Sequence, residues 1–388
     1  MRHPLNVEKR LEIRKNENSF RELKTSTDII DFSSNDYLGF SRNSDIYKRA
    51  LALLQENGLS GRNGATGSRL LTGNHQIYTK TEDYIRDFHQ SEAALIFNSG
   101  FDANIGIFSC VPQRGDIILF DELVHASIRE GIRLSNARAF KFEHNNLPGL
   151  ENLLVKYSSK ATGTQEQNIY IVTESVFSMD GDKAPLKEIA DLAENYKAFL
   201  IVDEAHATGV FGKKGQGLVQ QLDLQNKVFA RIITFGKAMG AHGAAVTGSK
   251  LLVDYLINFS RSFIYTTALP PHAVATILAS YMLLNDDDQP DDILLLNNNI
   301  KLFSSELALN DITSEFIRSD STIQCVVIPG NETVKKVAIQ LQEAGFDVRA
   351  ILSPTVKPGK ERIRICLHSF NTTHEIKALV KQLAILIK

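Results

Sequence analysis

Ile232-Ile233-Thr234-Phe235-Gly236-Lys237-Ala238-Met239-Gly240 is the stretch that decides how the rest of the chain is read. Its β-branched, apolar start reads as a buried strand, which stops at a small residue followed by a lysine. Burial ordinarily excludes lysine, because an ammonium ion at low dielectric is costly to leave unpaired. A lysine held at a strand end, between glycines that admit a ligand closely, can instead lose its proton and act as a nucleophile. Most strand-end lysines simply open a solvated loop, so the decision rests on what accompanies Lys237.

The nearest companion is Leu200-Ile201-Val202-Asp203-Glu204-Ala205-His206-Ala207-Thr208-Gly209. Another apolar run delivers an acid at its carboxyl end, and a histidine follows. Asp203 and Lys237 are separated by about one strand-helix-strand unit, which in a doubly wound sheet brings both to the edge where ligands bind. A carboxylate that keeps a pyridine nitrogen protonated, with a lysine that bonds to an aldehyde, is what pyridoxal phosphate (PLP) needs to act as an electron sink.

Working outward, strands are expected at Glu92–Asn98, Asp116–Phe120, Asn168–Val172 and Ala244–Thr247. Five strand ends then carry polar or glycine-rich groups: Ser99-Gly100-Phe101, His125, Glu174 with Ser178, Asp203 with His206, and Thr234 with Lys237. A parallel sheet puts these ends on one edge, so the groups should converge. The Gly100 and Phe101 amides at a helix start, with the Thr234 hydroxyl, suit a phosphate. His125 suits the face of a pyridine ring, and His206 its phenolate oxygen. Taken singly, each histidine is more often a packed or surface residue; their joint placement is what raises the functional reading.

Residues 1–30 read as a helix and connector, and Phe32–Gly39 as a compact polar turn that can line a pocket. The glycines between Gly58 and Gly73 fit neither GxGxxG nor a Walker loop, and no apolar strand leads into them, so they read as a backbone-rich wall. Past Pro270-Pro271 the pattern becomes a long helical region interrupted by the polar run Asn285–Asp292. A smaller α+β unit follows: strand Thr322–Ile328, helix Thr333–Ala344, strands Asp347–Leu352 and Arg362–Leu367, and a last helix behind a Thr372–Glu375 capping box. The division expected is 1–45 as N-terminal helix and connector, 46–275 as a large α/β domain with a doubly wound, mostly parallel sheet, and 276–388 as a small α+β domain.

Composition bounds the partners. The chain has 388 residues, 23% charged, with a formal net charge of −2, which makes no case for nucleic acid or an anionic membrane. Cys110, Cys325 and Cys366 form no CxxC pair and suit a reducing compartment rather than a disulfide framework or metal site. The charged N-terminal segment shows no secretory h-region, and no run approaches a membrane span, so a cytoplasmic enzyme without a metal is expected.

Two rival chemistries are weak. Asp203-Glu204-Ala205-His206 spells a helicase DEAH box, but a Walker lysine loop and a basic surface are both missing. A dinucleotide-dependent dehydrogenase would need the glycine fingerprint. A non-catalytic relative of a cofactor enzyme would have no reason to keep Lys237.

As a set, NDYLG (Asn35–Gly39), GSRLLTGNH (Gly67–His75), SGFDAN (Ser99–Asn104), VTESVFSMDGDKAPL (Val172–Leu186), VDEAHATG (Val202–Gly209) and TFGKAMG (Thr234–Gly240) resemble the α-oxoamine synthases. These are fold-type I PLP enzymes that condense an amino acid with an acyl thioester. SPTVKPGKERIRI (Ser353–Ile365) and the GSRLLTG segment are similar to the branch that joins L-alanine to a pimeloyl thioester in biotin biosynthesis; the alternative is the glycine C-acetyltransferase branch or another α-oxoamine synthase. The resemblance implies that Lys237 holds PLP covalently and moves the α-proton, that Asp203 pairs with the ring nitrogen, that His125 stacks on the ring and meets substrate, and that His206 bonds the phenolate oxygen. It implies that Ser178, Thr234, Gly100 and Phe101 fix the cofactor and its phosphate. Thr266 or Thr267 would reach the phosphate of a neighbouring subunit, implying a homodimer with a shared active site. Arg364, helped by Asn35, would bind the amino acid carboxylate, with Arg21 and Thr355 on substrate. The acyl carrier, coenzyme A or acyl carrier protein, stays open, as does glycine or serine in place of alanine. One departure from the family pattern is Cys366–Asn371 after RIRI, where a Leu-Thr-Ala-like segment is usual.

Overall fold

The structure is a computed structural model describing residues 3–23, 25, 29–158, 167–286 and 291–387. The polar run at 285–292 therefore falls partly outside the described residues, at 287–290, as do residues 1, 2 and 24 of the charged N-terminal segment. The chain forms two compact units. One comprises Asp36–Ser178 and Lys183–Ile293, the other Met1–Asn35, Met179–Asp182 and Leu294–Lys388.

Among the described residues, the larger unit holds a seven-stranded sheet. Its strands are β1 (Ala93–Phe97), β2 (Ile117–Asp121), β3 (Arg138–Phe142), β4 (Ile169–Glu174), β5 (Phe199–Asp203), β6 (Ala230–Thr234) and β7 (Ala244–Gly248), in the order β1-β7-β6-β5-β4-β2-β3. Strands β2 to β6 pair in parallel. Only β7 is reversed, antiparallel to both β6 and β1, so β1 runs with the parallel set. The carboxyl ends of β1, β2, β4, β5 and β6 consequently share one edge, as expected from the sequence.

Continuous apolar runs make strands buried on both faces. Ile118, Val172, Ile201 and Ile232 pack with Ala103, Ile107, Ile128 and Leu256. Their alternates Ile117, Leu119, Ile171 and Val202 pack with Leu150, Leu154, Ile189 and Leu218 on the opposite face. Full burial of each such side chain contributes about 1.5–3 kcal/mol, which fixes strand register and with it the strand ends. The edge strand β3 was not among the expected strands; Arg138, Ala139 and Lys141 are exposed, so it lacks the apolar signature.

The β6–β7 connection carries Lys237 and is a short reversal rather than a helical crossover. Phe235 N–H donates to the Gly243 carbonyl at 2.9 Å, Ala241 N–H to the Phe235 carbonyl at 2.8 Å, and Gly240 N–H to the Lys237 carbonyl at 2.9 Å. Phe235, Ala238 and Met239 are buried within it. Gly240 has φ +59°, and a Cβ there would run into the backbone of Phe40 and Ser41.

The smaller unit contains an antiparallel sheet of β8 (Ile323–Val327), β9 (Arg349–Ile351) and β10 (Arg362–Cys366), ordered β9-β10-β8. Helices Asn331–Glu343 and Thr373–Ile387 belong to it. The strand expected at Asp347–Leu352 is two: Phe346–Asp347 pairs with Ile30–Asp31, and β9 pairs with β10. The chain changes partner at the fully buried Val348, which an apolar count alone does not reveal. The capping box forms, with Thr372 N–H donating to Glu375 Oε2 at 2.7 Å and Glu375 N–H to Thr372 Oγ1 at 3.3 Å. Among the described residues no helix is long and apolar enough to cross a membrane.

Candidate active site

Asp203 is the last residue of β5 and is 5% exposed. Its Oδ2 accepts from Asn104 Nδ2 at 2.9 Å, and its Oδ1 from the Ala205 amide at 2.9 Å. Asn104 lies one turn into the helix Gly100–Cys110 that follows β1. Strand β4 places Glu174 directly beside Asp203. Two carboxyl groups in one buried place cannot both ionise freely: burial first, then the Asp203 charge, push Glu174 up to about 8. Glu174 Oε1 accepts from the His125 amide at 2.5 Å.

His125 caps the helix Ala126–Leu134 with its own ring, Nδ1 accepting from the Ser127 amide at 3.2 Å and lying 2.6 Å from Ser127 Oγ. Ser127 Oγ in turn accepts from Asn104 Nδ2 at 3.0 Å. Burial is the main influence lowering the His125 pKa, with the Lys237 and Arg129 charges adding to it and Asp203 opposing.

Beyond β6, Lys237 Nζ is 2.7 Å from His206 Nε2, and His206 Nδ1 is 2.7 Å from the Tyr37 hydroxyl. The strand end itself, Thr234, stands against the start of the Gly100 helix. A Cβ on Gly100 would lie 2.6 Å from Thr234 Cγ2, so glycine alone fits that approach. Ser99 caps this helix, its side chain accepting from the Asp102 amide, which leaves the Gly100 and Phe101 amides among the helix's unsatisfied first-turn donors. Phe101 is 50% exposed. Ser178 is buried a few residues past β4. Thr266 and Thr267 are tied to the end of β1 through Asn98, whose Nδ2 donates to Thr266 Oγ1 at 3.1 Å and to the Thr267 carbonyl at 2.7 Å.

Glu204, next to Asp203, points away from this edge into a buried ion pair. Arg231 Nε and Nη2 reach its Oε2 at 2.9 and 2.5 Å, and Arg231 Nη1 donates to the His89 carbonyl at 3.1 Å. His89 Nε2 is 2.8 Å from the Tyr281 hydroxyl.

In the smaller unit the buried Arg364 on β10 donates through Nη2 to Asn35 Oδ1 at 3.0 Å and through Nη1 to Cys366 Sγ at 3.0 Å. Arg21 Nη2 donates to Thr355 Oγ1 at 3.3 Å. Both expected substrate pairs are thus neighbours within that unit. The unusual segment after β10 is braced by His368, which stacks on Phe370 at 4.6 Å and reaches the Ser34 hydroxyl at 3.2 Å.

The residues fit PLP. A desolvated carboxylate for a ring nitrogen, a lysine on a polar partner, and a glycine-floored helix start with a hydroxyl alongside make a matched donor set. Glu174, one of the expected strand-end groups, takes part in this arrangement, and so do Asn104, Ser127 and Tyr37, which strand-end reasoning passes over. Asn104 and Tyr37 stood within quoted motifs, and the helical offset of Asn104 from Gly100 was the one signal of its inward face.

The family model described as aminotransferase class I and II matches residues 27–383. An 8-amino-7-oxononanoate synthase from Emericella nidulans is 41% identical over 364 residues, covering 92% of this chain and 88% of that one. A solved 8-amino-7-oxononanoate synthase from Francisella tularensis superposes with a TM-score of 0.75 at 28% identity, covering 92% of this chain and 97% of its own. In fold, a serine palmitoyltransferase from S. paucimobilis with bound PLP–myriocin is similar at a TM-score of 0.87 and 24% identity, covering 98% and 96%.

Proposed function

The chain belongs to the aminotransferase class I and II family, and from that premise we propose that it condenses L-alanine with a pimeloyl thioester to give 8-amino-7-oxononanoate for biotin biosynthesis. It is a PLP-dependent enzyme of fold type I. The observation that carries the proposal is Lys237 resting on His206 at one strand end while Asp203 is fixed at the next. The 41% identity to a named 8-amino-7-oxononanoate synthase supports the choice of substrates.

In the net reaction, the α-carbon of alanine bonds to the thioester carbonyl carbon, the thiol departs, the α-carboxylate leaves as CO₂, and a proton returns to the α-carbon. PLP, when bound, spreads the electron pair left on that carbon into its ring. Lys237 would hold the cofactor and then take and return the α-proton at Nζ. Asp203 would pair with the ring nitrogen, His206 would reach the phenolate oxygen, and His125 would cover the ring and meet substrate. Gly100, Phe101, Thr234 and Ser178 would hold cofactor and phosphate through amide and hydroxyl donors. Thr266 or Thr267 would serve the phosphate of a second copy, making the working form a homodimer with shared active sites. Arg364, oriented by Asn35, would take the amino acid carboxylate, and Arg21 and Thr355 would contact substrate.

The test is thiol release with the ketone identified by mass, using PLP-loaded protein, L-alanine and pimeloyl-CoA or its acyl carrier protein thioester. Glycine with acetyl-CoA runs in parallel. Turnover only with the glycine pair would overturn the alanine proposal and make the enzyme a glycine C-acetyltransferase, with the Lys237 chemistry kept.

A further inference from the structure

The His125 environment admits one arrangement of hydrogens. A carboxylate only accepts, so the nitrogen end of the Asn104 amide must face Asp203 Oδ2, 2.9 Å away; flipping it would set oxygen against oxygen. The same Nδ2 is 3.0 Å from Ser127 Oγ and gives its second hydrogen there. The Ser127 hydroxyl therefore accepts from Asn104 and stands 2.6 Å from His125 Nδ1, and because a backbone N–H already points at Nδ1 and leaves it no hydrogen, the hydroxyl gives its own hydrogen there. The Ser127 backbone N–H, 3.2 Å from Nδ1, cannot reverse its role and donates to the same atom. An imidazole that accepts two donors at Nδ1 carries its hydrogen on Nε2, and an imidazolium would press an Nδ1–H against that backbone N–H.

We infer that Asn104 and Ser127 are positioning residues that relay the orientation of Asp203 to His125 and hold His125 neutral as its Nε2–H tautomer. The use of this relay rests on the PLP function proposed above, and its geometry does not. A second feature agrees. Asn104 Oδ1 is buried without a partner among the described residues, an unfavourable state for an amide oxygen. The amide is thus set by the carboxylate rather than by its own best satisfaction. Burial also disfavours the imidazolium and, with the Lys237 and Arg129 charges, outweighs the Asp203 charge that favours it. With Nδ1 occupied, His125 offers its ligand one fixed donor, Nε2–H. It can steady an acceptor such as a carboxylate or thioester oxygen, and it cannot serve as a general base.

The tautomer can be read directly by ¹⁵N NMR of the PLP-loaded, histidine-labelled protein, the His125 signals being assigned by their loss in His125→Gln. The expected pattern is protonated Nε2 and a hydrogen-bonded, unprotonated Nδ1. Ser127→Ala should lose the hydrogen-bonded Nδ1 shift and raise the pH at which His125 titrates, and Ser127→Thr should restore both. Asn104→Ala should move the titration in the same direction as Ser127→Ala. A proton on Nδ1 in the unaltered protein, or a Ser127→Ala spectrum identical to it, would overturn the relay. Protein that shows the expected pattern yet fails to condense L-alanine with the pimeloyl thioester upholds the relay and removes the functional proposal instead.

Discussion

Lys237 Nζ and His206 Nε2 are 2.7 Å apart, and the imidazole reaches the Tyr37 hydroxyl from its other nitrogen. The imidazole of His206 thus bridges the lysine amine and the tyrosine hydroxyl through its two ring nitrogens. Lys237→Ala should abolish turnover and leave PLP removable by gel filtration. Tyr37→Phe should cost about tenfold in kcat/KM, the loss of one hydrogen bond of about 1.4 kcal/mol. Appreciable turnover in Lys237→Ala would refute the assignment of this lysine.

The contact between Gly100 and Thr234 makes a compensating pair. Gly100→Ala places a methyl group 2.6 Å from Thr234 Cγ2 and should weaken PLP binding by about tenfold, an overpacking cost of roughly 1–3 kcal/mol. Adding Thr234→Ser removes that methyl and keeps the hydroxyl, so the double variant should regain most of the affinity in a PLP titration. No recovery would mean that the alanine acts through the helix backbone.

Glu174 makes stability depend on pH. Its carboxyl is raised in the folded protein to about 8 from the ordinary 4.5, so the folded state binds the extra proton. The stability this gives is complete below about 4.5 and is lost as pH rises toward 8. Within that window the unaltered protein should lose up to about 1.4 kcal/mol per pH unit relative to Glu174→Gln, measured by urea denaturation. Parallel pH profiles for the two proteins would show that Glu174 is charged throughout.

The Arg231–Glu204 pair is a stability element one residue from the chemistry. Arg231→Met leaves the fully buried Glu204 carboxyl without its cation and should cost about 3–5 kcal/mol. Arg231→Met with Glu204→Gln should cost less, because the uncompensated charge is gone. Equal losses in the two variants would place the cost in packing instead.

The strand ends were legible because each buried strand is a continuous apolar run, so its first polar residue marks the sheet edge. That logic located Asp203, His125, Thr234 and Lys237. It has no purchase on Asn104 or Ser127, polar residues inside helices whose importance comes from the group they face. It also passes over β3, an edge strand with little to bury, and cannot see the switch of partners at Val348. Arg364 and Thr355 were reached through motif resemblance, since a buried arginine on a strand carries no signal of its own in composition or period.

The reversal between β6 and β7 has a consequence for how the lysine-bearing segment tolerates change. Residues 235–243 have no regular secondary structure, yet the amides of Phe235, Gly240 and Ala241 are bonded within the segment and both of its ends continue into paired strands. In amide exchange the segment should behave as interior, with Phe235, Gly240 and Ala241 exchanging as slowly as the strands around them. Insertions and proteolytic cuts, usually absorbed by loops, should be rejected here. The travel that catalysis asks of Lys237 then falls to the rotamers of one side chain, carried on a mount as unyielding as the sheet.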